Sequence, residues 1–342
     1  MTIRTSPRAA RQAWPPLEVD TLRTRDGHRV SFAVAGALDG VPVAVLHGGP
    51  GSGSQPGALR LFDLQRFRVV LIDQRGTGAS TPHGSVRHNR TDYLIADLEA
   101  IRVRLGFERW GVLGGSWGAA LALAYAGQCP QAVTGVVMRG LFLTSGREVR
   151  GLFMTSRRRA PRAWARLRDA ARCERPAGLA SGFVARCAAS LQSGADPARQ
   201  RALALAWRGY EDAVLASATA RRAAPPRARD SRRHARKLIG KYRIQAHYLA
   251  HRCWLGETRL LALARRAASA GVPLAAVHGS RDPVCPPGNL RRLVRAAPGA
   301  HVECVRAGHL ASDPALHERV AHALAAMFIS TAQEGCSMRH AA

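Results

Sequence analysis

Nowhere in the 342 residues is there a run approaching the roughly 20 consecutive apolar residues that cross a bilayer. An α-helical membrane span is therefore not expected. The opening stretch MTIRTSPRAARQAWPPLEV has arginines but no continuous apolar centre, so it does not read as a secretory signal. Cysteine is sparse and scattered: seven residues, at 129, 173, 187, 253, 285, 304 and 336, with no CxxC pair. An odd number at such spacing points to neither a disulfide framework nor a zinc site, and a reducing cytoplasm is the expected location. Lysine is almost missing, with only Lys237 and Lys241, so a net charge of +28 (51 basic, 23 acidic) is carried by arginine. A balance this basic usually suggests nucleic acid or an anionic membrane as partner. Here the arginines are spread from Arg4 to Arg339 instead of forming one mixed patch, and neither partner is expected.

What is present is a chain with 46% hydrophobic and 22% charged residues, enough to bury a full core. LRTRDGHRVSFAVAG reads as a β-hairpin turning at Asp26-Gly27. Short apolar runs then alternate with helical patterns: 41–48, 68–73, 110–115, 133–140, 273–279 and 301–308. Runs without polar alternation, separated by helices, indicate a mostly parallel sheet covered on both faces. One helix aligns Leu94, Leu98, Ile101 and Leu105, with Asn89 or Thr91 as its expected cap. The last aligns Leu316, Val320, Leu324 and Met327 behind Asp313 and Pro314. Between about 141 and 255 the strand runs stop and the sequence turns arginine- and alanine-rich. The reading is an α/β core in two parts, 1–140 and 256–342, with a helical insertion at 141–255. Within it, 220–237 is expected to be a solvated, proline-broken loop.

Gly114-Gly115-Ser116-Trp117-Gly118 follows an apolar strand and opens a helix pattern, the context a G-x-S-x-G nucleophile elbow requires. A serine needs a base, and the base an orienting acid. Asp282 and His309 both lie just past apolar runs, at the carboxyl ends of strands where open α/β sheets keep their sites. His278, inside a strand, and His317 and His322, on the last helix, read as structural. An oxyanion hole needs two backbone N–H groups: Trp117 follows the nucleophile, and Gly49 lies in His47-Gly48-Gly49-Pro50-Gly51 after the first core strand.

HGGPG (47–51), DQRGTGAS (73–80), GGSWG (114–118), SRDPVCPP (280–287) and AGH (307–309), in this order, resemble the proline iminopeptidases of the α/β-hydrolase superfamily, from about Trp14 to Phe328. The resemblance implies an α/β-hydrolase fold with a helical cap, a cytoplasmic enzyme without metal or cofactor, and small peptide substrates with N-terminal proline. It makes Ser116 nucleophile, Asp282 the acid, His309 general base then acid, Gly49 and Trp117 the oxyanion hole, and Asp73 and Arg75 structural buttresses. Phe142 would help form the apolar pocket for the proline ring. Cys285 would lie near the triad.

One feature departs from the pattern. Family members capture the substrate's free amino group with cap glutamates, since a carboxylate suits an ammonium. Glu211 matches one of them, but the segment that would carry the second reads Ile244-Gln245-Ala246-His247-Tyr248, so Gln245 stands there without a charge. Three readings stay open from the sequence: release of N-terminal proline or a similar residue, the same chemistry on an ester, lactone or amide without a free α-amino group, and a silent binding protein with a basic cap. The oligomeric state is not legible.

Overall fold

The computed structural model describes residues 16–172, 180–218 and 231–329. The start of the family resemblance at Trp14, Cys173, Cys336, the stretch 219–230 and the tail from 330 lie outside the described residues. The Asp26-Gly27 turn, with Gly27 at φ +89°, joins β1 (Glu18–Arg23) to β2 (Arg29–Gly36) as an antiparallel hairpin. The apolar runs become β3 (Val41–Leu46), β4 (Phe67–Ile72), β5 (Trp110–Gly115), β6 (Val133–Arg139), β7 (Leu274–Gly279) and β8 (His301–Val305). The eight strands form one sheet in the order β1-β2-β4-β3-β5-β6-β7-β8, antiparallel in β1–β2 and β2–β4 and parallel elsewhere. Every residue of β4 and β7 is buried, which is why these strands read as unbroken apolar runs.

On one face lie α1 (Thr91–Arg104), α2 (Trp117–Gln128), α8 (Gly256–Ser269) and α9 (Gly288–Ala296). The other face is covered by α10 (Pro314–Phe328) and a short turn at Pro56–Leu61. Leu94, Leu98 and Ile101 of α1 and Leu316, Val320 and Leu324 of α10 are buried, while Leu105 and Met327 pack at the margins. Asn89 and Thr91 do not cap α1. Arg90 holds that position without a side-chain bond. Asn89 Nδ2 instead donates to the carbonyls of Arg75 and Ser85, and Thr91 Oγ1 to that of Cys253. Contacts from distant segments have recruited both side chains.

After β6 the chain forms α3 (Gly146–Arg150), a π-helical turn at Gly151–Thr155, α4 (Pro161–Ala170), α5 (Ala180–Ser190), α6 (Pro197–Ala216) and α7 (Arg232–Ala250). These helices share a cluster of their own, with Phe153, Trp164, Phe183, Trp207, Tyr210 and Tyr242 buried together. The loop expected at 220–237 is corrected in its last residues: Arg232 to Lys237 open α7, with Ser231 Oγ accepting from His234 N at 3.2 Å. An arginine-rich start conceals a helix whose apolar side begins only at Ala235 and Leu238.

α7 returns to the core through Arg252, Cys253 and Trp254, all left-handed (φ +49°, +54° and +52°). Beside this turn His247 packs against Trp254 and Tyr248, and its Nε2 has no hydrogen-bond partner. Burial, with the charge of His251, pushes its pKa down to about 4 against one opposing backbone bond. The unfolded chain then binds a proton between pH 6.5 and about 4 that the folded chain refuses, so stability is present above 6.5 and declines as pH falls through this window. The melting temperature should drop across that range, and more shallowly in His247→Gln; parallel profiles would show that His247 does not contribute.

Candidate active site

β3 and β5 are neighbours although β4 comes between them in sequence, so the connections leaving their carboxyl ends diverge to opposite sides. Open α/β sheets form a crevice at such a switch point. The loop after β3 carries His47 to Gly51, and the turn after β5 carries Ser116. Ser116 sits at φ +57°, ψ −118°, a strained conformation for a residue with a side chain, between the last residue of β5 and the first of α2. Its N–H donates to the Arg139 carbonyl at 2.8 Å, which ties the elbow to β6.

The flanking glycines are needed for contact. A Cβ on Gly118 would stand 2.0 Å from the Leu46 carbonyl oxygen, and one on Gly114 2.2 Å from the Gly118 carbonyl oxygen. Both obstacles are backbone, so α2 would have to move away from β3 in the first case and from β5 in the second. Gly118→Ala is expected to cost about 3 kcal/mol, lowering the melting temperature by roughly 5–10 °C. An unchanged melting curve would show that the helix start yields freely.

His309 follows β8, and its Nδ1 lies 2.6 Å from Asp282 Oδ2. Asp282 follows β7. Its Oδ1 accepts from the N–H groups of Val284 and Cys285, both at 2.8 Å. Burial drives the Asp282 carboxyl upward, but His309, His278 and the Cys285 N–H outweigh it and hold the group below its ordinary value, hence ionised. His278 Nε2 is 2.8 Å from the Cys285 carbonyl oxygen and 3.5 Å from Asp282 Oδ2, bracing the turn that presents Asp282. Cys285 is fully buried and shares a cavity wall with Ser116. Burial, with the charges of Asp282 and Glu148, pushes the Cys285 thiol well above its ordinary pKa.

Arg139, at the end of β6, was missed by sequence reasoning. Its guanidinium donates to the His309 carbonyl oxygen, and a Cβ on Gly115 would stand 2.4 Å from its Nη2. It thus spans the His309 loop and the Ser116 turn. Gln74 was missed as well. Its Nε2 donates to the His47 carbonyl oxygen at 2.9 Å, its N–H to His47 Nε2 at 3.2 Å, and its Oε1 accepts from Trp117 Nε1 at 2.8 Å. One side chain therefore fixes the glycine loop against the residue after Ser116. Asp73 secures the far side of that loop through Ser54, whose N and Oγ both donate to Oδ1 at 2.7 Å. Arg75 pairs instead with Asp97 and Asp26, away from the cavity. The only sequence signals for Arg139 and Gln74 were a charged residue closing an apolar run and a glutamine inside DQRG.

Ser116, His309, Gly48, Gly49, Phe142, Glu211, Gln245 and Cys285 line one cavity of about 200 Å³. Gly49 is left-handed (φ +121°), and a Cβ there would stand 2.8 Å from the Gly51 nitrogen. Trp117 is fully buried beneath, its N–H at the first position of α2. The structure thus brings Ser116, His309, Gly49, Phe142, Glu211 and Gln245 to one space, with Trp117 and Asp282 buried behind its wall and helices α6 and α7 supplying Glu211 and Gln245. Asp282, Cys285 and His309 bring their polar atoms within 4.8 Å of one another, but Asp282 and His309 already bond to each other.

The family model for the alpha/beta hydrolase fold matches residues 41–315. The chain belongs to the α/β-hydrolase family. Within it, the chain is 36% identical over 302 residues to a proline iminopeptidase of Xylella fastidiosa, covering 87% of this chain and 93% of that one. It is 32% identical over 311 residues to a proline iminopeptidase of Neisseria gonorrhoeae, covering 90% and 96%. Among solved structures, a putative aryl esterase from Burkholderia cenocepacia superposes with a TM-score of 0.59 at 17% identity, covering 91% of this chain and 99% of that one. The proline iminopeptidase-related protein of Thermus thermophilus gives 0.52 at 24%, covering 92% and 99%. These two show the fold. The sequence relatives make this α/β-hydrolase a hydrolase of the prolyl aminopeptidase-like kind. No helix among its described residues is long and apolar enough to cross a membrane.

Proposed function

We propose that this protein releases N-terminal proline, or a residue of similar size, from short peptides through an acyl-enzyme at Ser116. The observation that carries the reading is the 2.6 Å contact of His309 with an ionised Asp282 beside a serine on a strained elbow, all at one small cavity. Ser116 Oγ attacks the scissile carbonyl carbon while His309 Nε2 takes the hydroxyl proton, and the oxyanion is met by the N–H groups of Gly49 and Trp117. His309 then passes its proton to the departing amine as the carbon–nitrogen bond breaks. Water, deprotonated by His309, attacks the ester, and Ser116 recovers its proton as the acid leaves. Each oxyanion donor typically supplies about 3 kcal/mol.

In this reading residues 141–255 form a cap between core parts 1–140 and 256–342. The cap closes the acyl pocket with Phe142, Glu211 and Gln245, and the enzyme works in the cytoplasm without nucleic acid or membrane as partner. A second reading, an ester, lactone or amide lacking a free α-amino group, is favoured by one fact: Glu211 is already bonded by Lys241, Tyr242 and Gln245. Both need the same serine. A fluorophosphonate probe is expected to label Ser116 with loss of proline 4-nitroanilide hydrolysis; hydrolysis that survives full labelling would overturn the acyl-enzyme.

A further inference from the structure

The cap wall of the cavity holds a cation that the acyl-transfer chemistry does not use. Lys241 lies on α7 and lines the cavity, and its Nζ is 3.1 Å from Glu211 Oε2, with the two side chains 26% and 17% exposed. The same oxygen accepts from Tyr242 OH at 3.0 Å, and Oε1 accepts from Gln245 Nε2 at 2.6 Å. α7 is closely seated here, since a Cβ on Gly51 of the glycine loop would stand 2.4 Å from the Lys241 carbonyl oxygen.

The other acidic groups at the site are engaged. Glu148, buried, accepts from Leu143 N, Ser145 and Asn289. Asp282 holds His309. Among the described residues, Glu211 is thus the carboxylate that a cationic substrate group in the cavity would seek, and three donors of the protein are there first. Gln245 is 4% exposed, and its Oε1 has no hydrogen-bond partner. A buried acceptor left unpaired is costly, so this oxygen favours a ligand that brings an N–H or O–H.

We propose that Lys241 is a specificity-determining residue, an internal competitor for Glu211 that admits substrates with no charge at this end of the acyl group alongside those with a free ammonium. The inference rests on the Ser116 acyl-transfer reading and narrows its substrate class. An arriving ammonium meets a neutral pair and must displace the lysine or share Glu211 with it, so it gains less than a free carboxylate would give. A neutral group displaces nothing. Gln245 Oε1 accepts from it if it carries a donor. Lysine suits the role because its flexible four-carbon stem can swing a compact charge towards water.

The test compares kcat/KM for proline 4-nitroanilide with that for its ring isostere, cyclopentanecarboxylic acid 4-nitroanilide, in which CH₂ replaces the ring nitrogen. Wild type should favour the amine by less than about tenfold. Lys241→Met and Lys241→Gln should each raise that ratio at least tenfold through a lower KM for the amine substrate, and Lys241→Arg should keep the wild-type ratio. A ratio that rises less than tenfold in both neutral variants, or rises through kcat alone, overturns the proposal. Fluorophosphonate labelling of the same preparations separates the two failures. Labelled enzyme with an unchanged ratio removes only the role of Lys241, whereas unlabelled wild type removes the acyl-transfer reading beneath it.

Discussion

Ser116→Ala should lower kcat/KM for proline 4-nitroanilide by about 10⁴- to 10⁶-fold, with the melting temperature and circular dichroism close to wild type. The prediction separates chemistry from architecture because alanine keeps the Cβ. The strained φ of +57° and the bond from the residue 116 N–H to the Arg139 carbonyl are retained, while only the hydroxyl is lost. Gln74, His47 and Trp117 are untouched, so the oxyanion donors stay in place and a small residual rate over water is expected. Substantial turnover by the alanine variant would mean that another group, with the buried Cys285 thiol as nearest candidate, attacks the substrate. The high pKa of that thiol makes it a poor nucleophile.

The core was legible where burial on both faces turned a strand into an unbroken apolar run, as in β4 and β7, and where a helix kept one apolar side, as in α10. The elbow was legible because its serine and glycines stand together within five residues after an apolar run, although the obstacle that demands Gly118 is the distant Leu46 carbonyl. What stayed hidden were contacts made by residues far apart in sequence. Arg139 meets the His309 loop 170 positions later, and Asn89 and Thr91, good caps by type, are taken by Arg75, Ser85 and Cys253. The start of α7 was hidden for another reason. Its first turns are arginine-rich and exposed, so hydrophobic periodicity appears only once the helix reaches its own cluster at Ala235 and Leu238. The role of Lys241 is of the former kind. Sequence marks it as one of two lysines, but only the crossing of α6 and α7 sets it against Glu211.

Asp282→Asn should reduce kcat by about 10³- to 10⁴-fold with little change in KM, and the reason lies in which oxygen does what. Oδ1 is pinned by the N–H groups of Val284 and Cys285, so an asparagine must place its carbonyl oxygen there to keep both bonds. Its NH₂ then faces His309 Nδ1, where the carboxylate Oδ2 had accepted. A donor facing Nδ1 requires that nitrogen to be unprotonated, which moves the ring proton to Nε2, on the side of Ser116, and leaves no lone pair to take the hydroxyl proton. The charge that would stabilise the imidazolium is lost as well. Substrate still enters the same cavity, which is why KM is spared. Near-normal kcat in a folded Asp282→Asn enzyme would show that His309 holds its working tautomer without the carboxylate, and the acid would then be a bracing group of the same kind as His278.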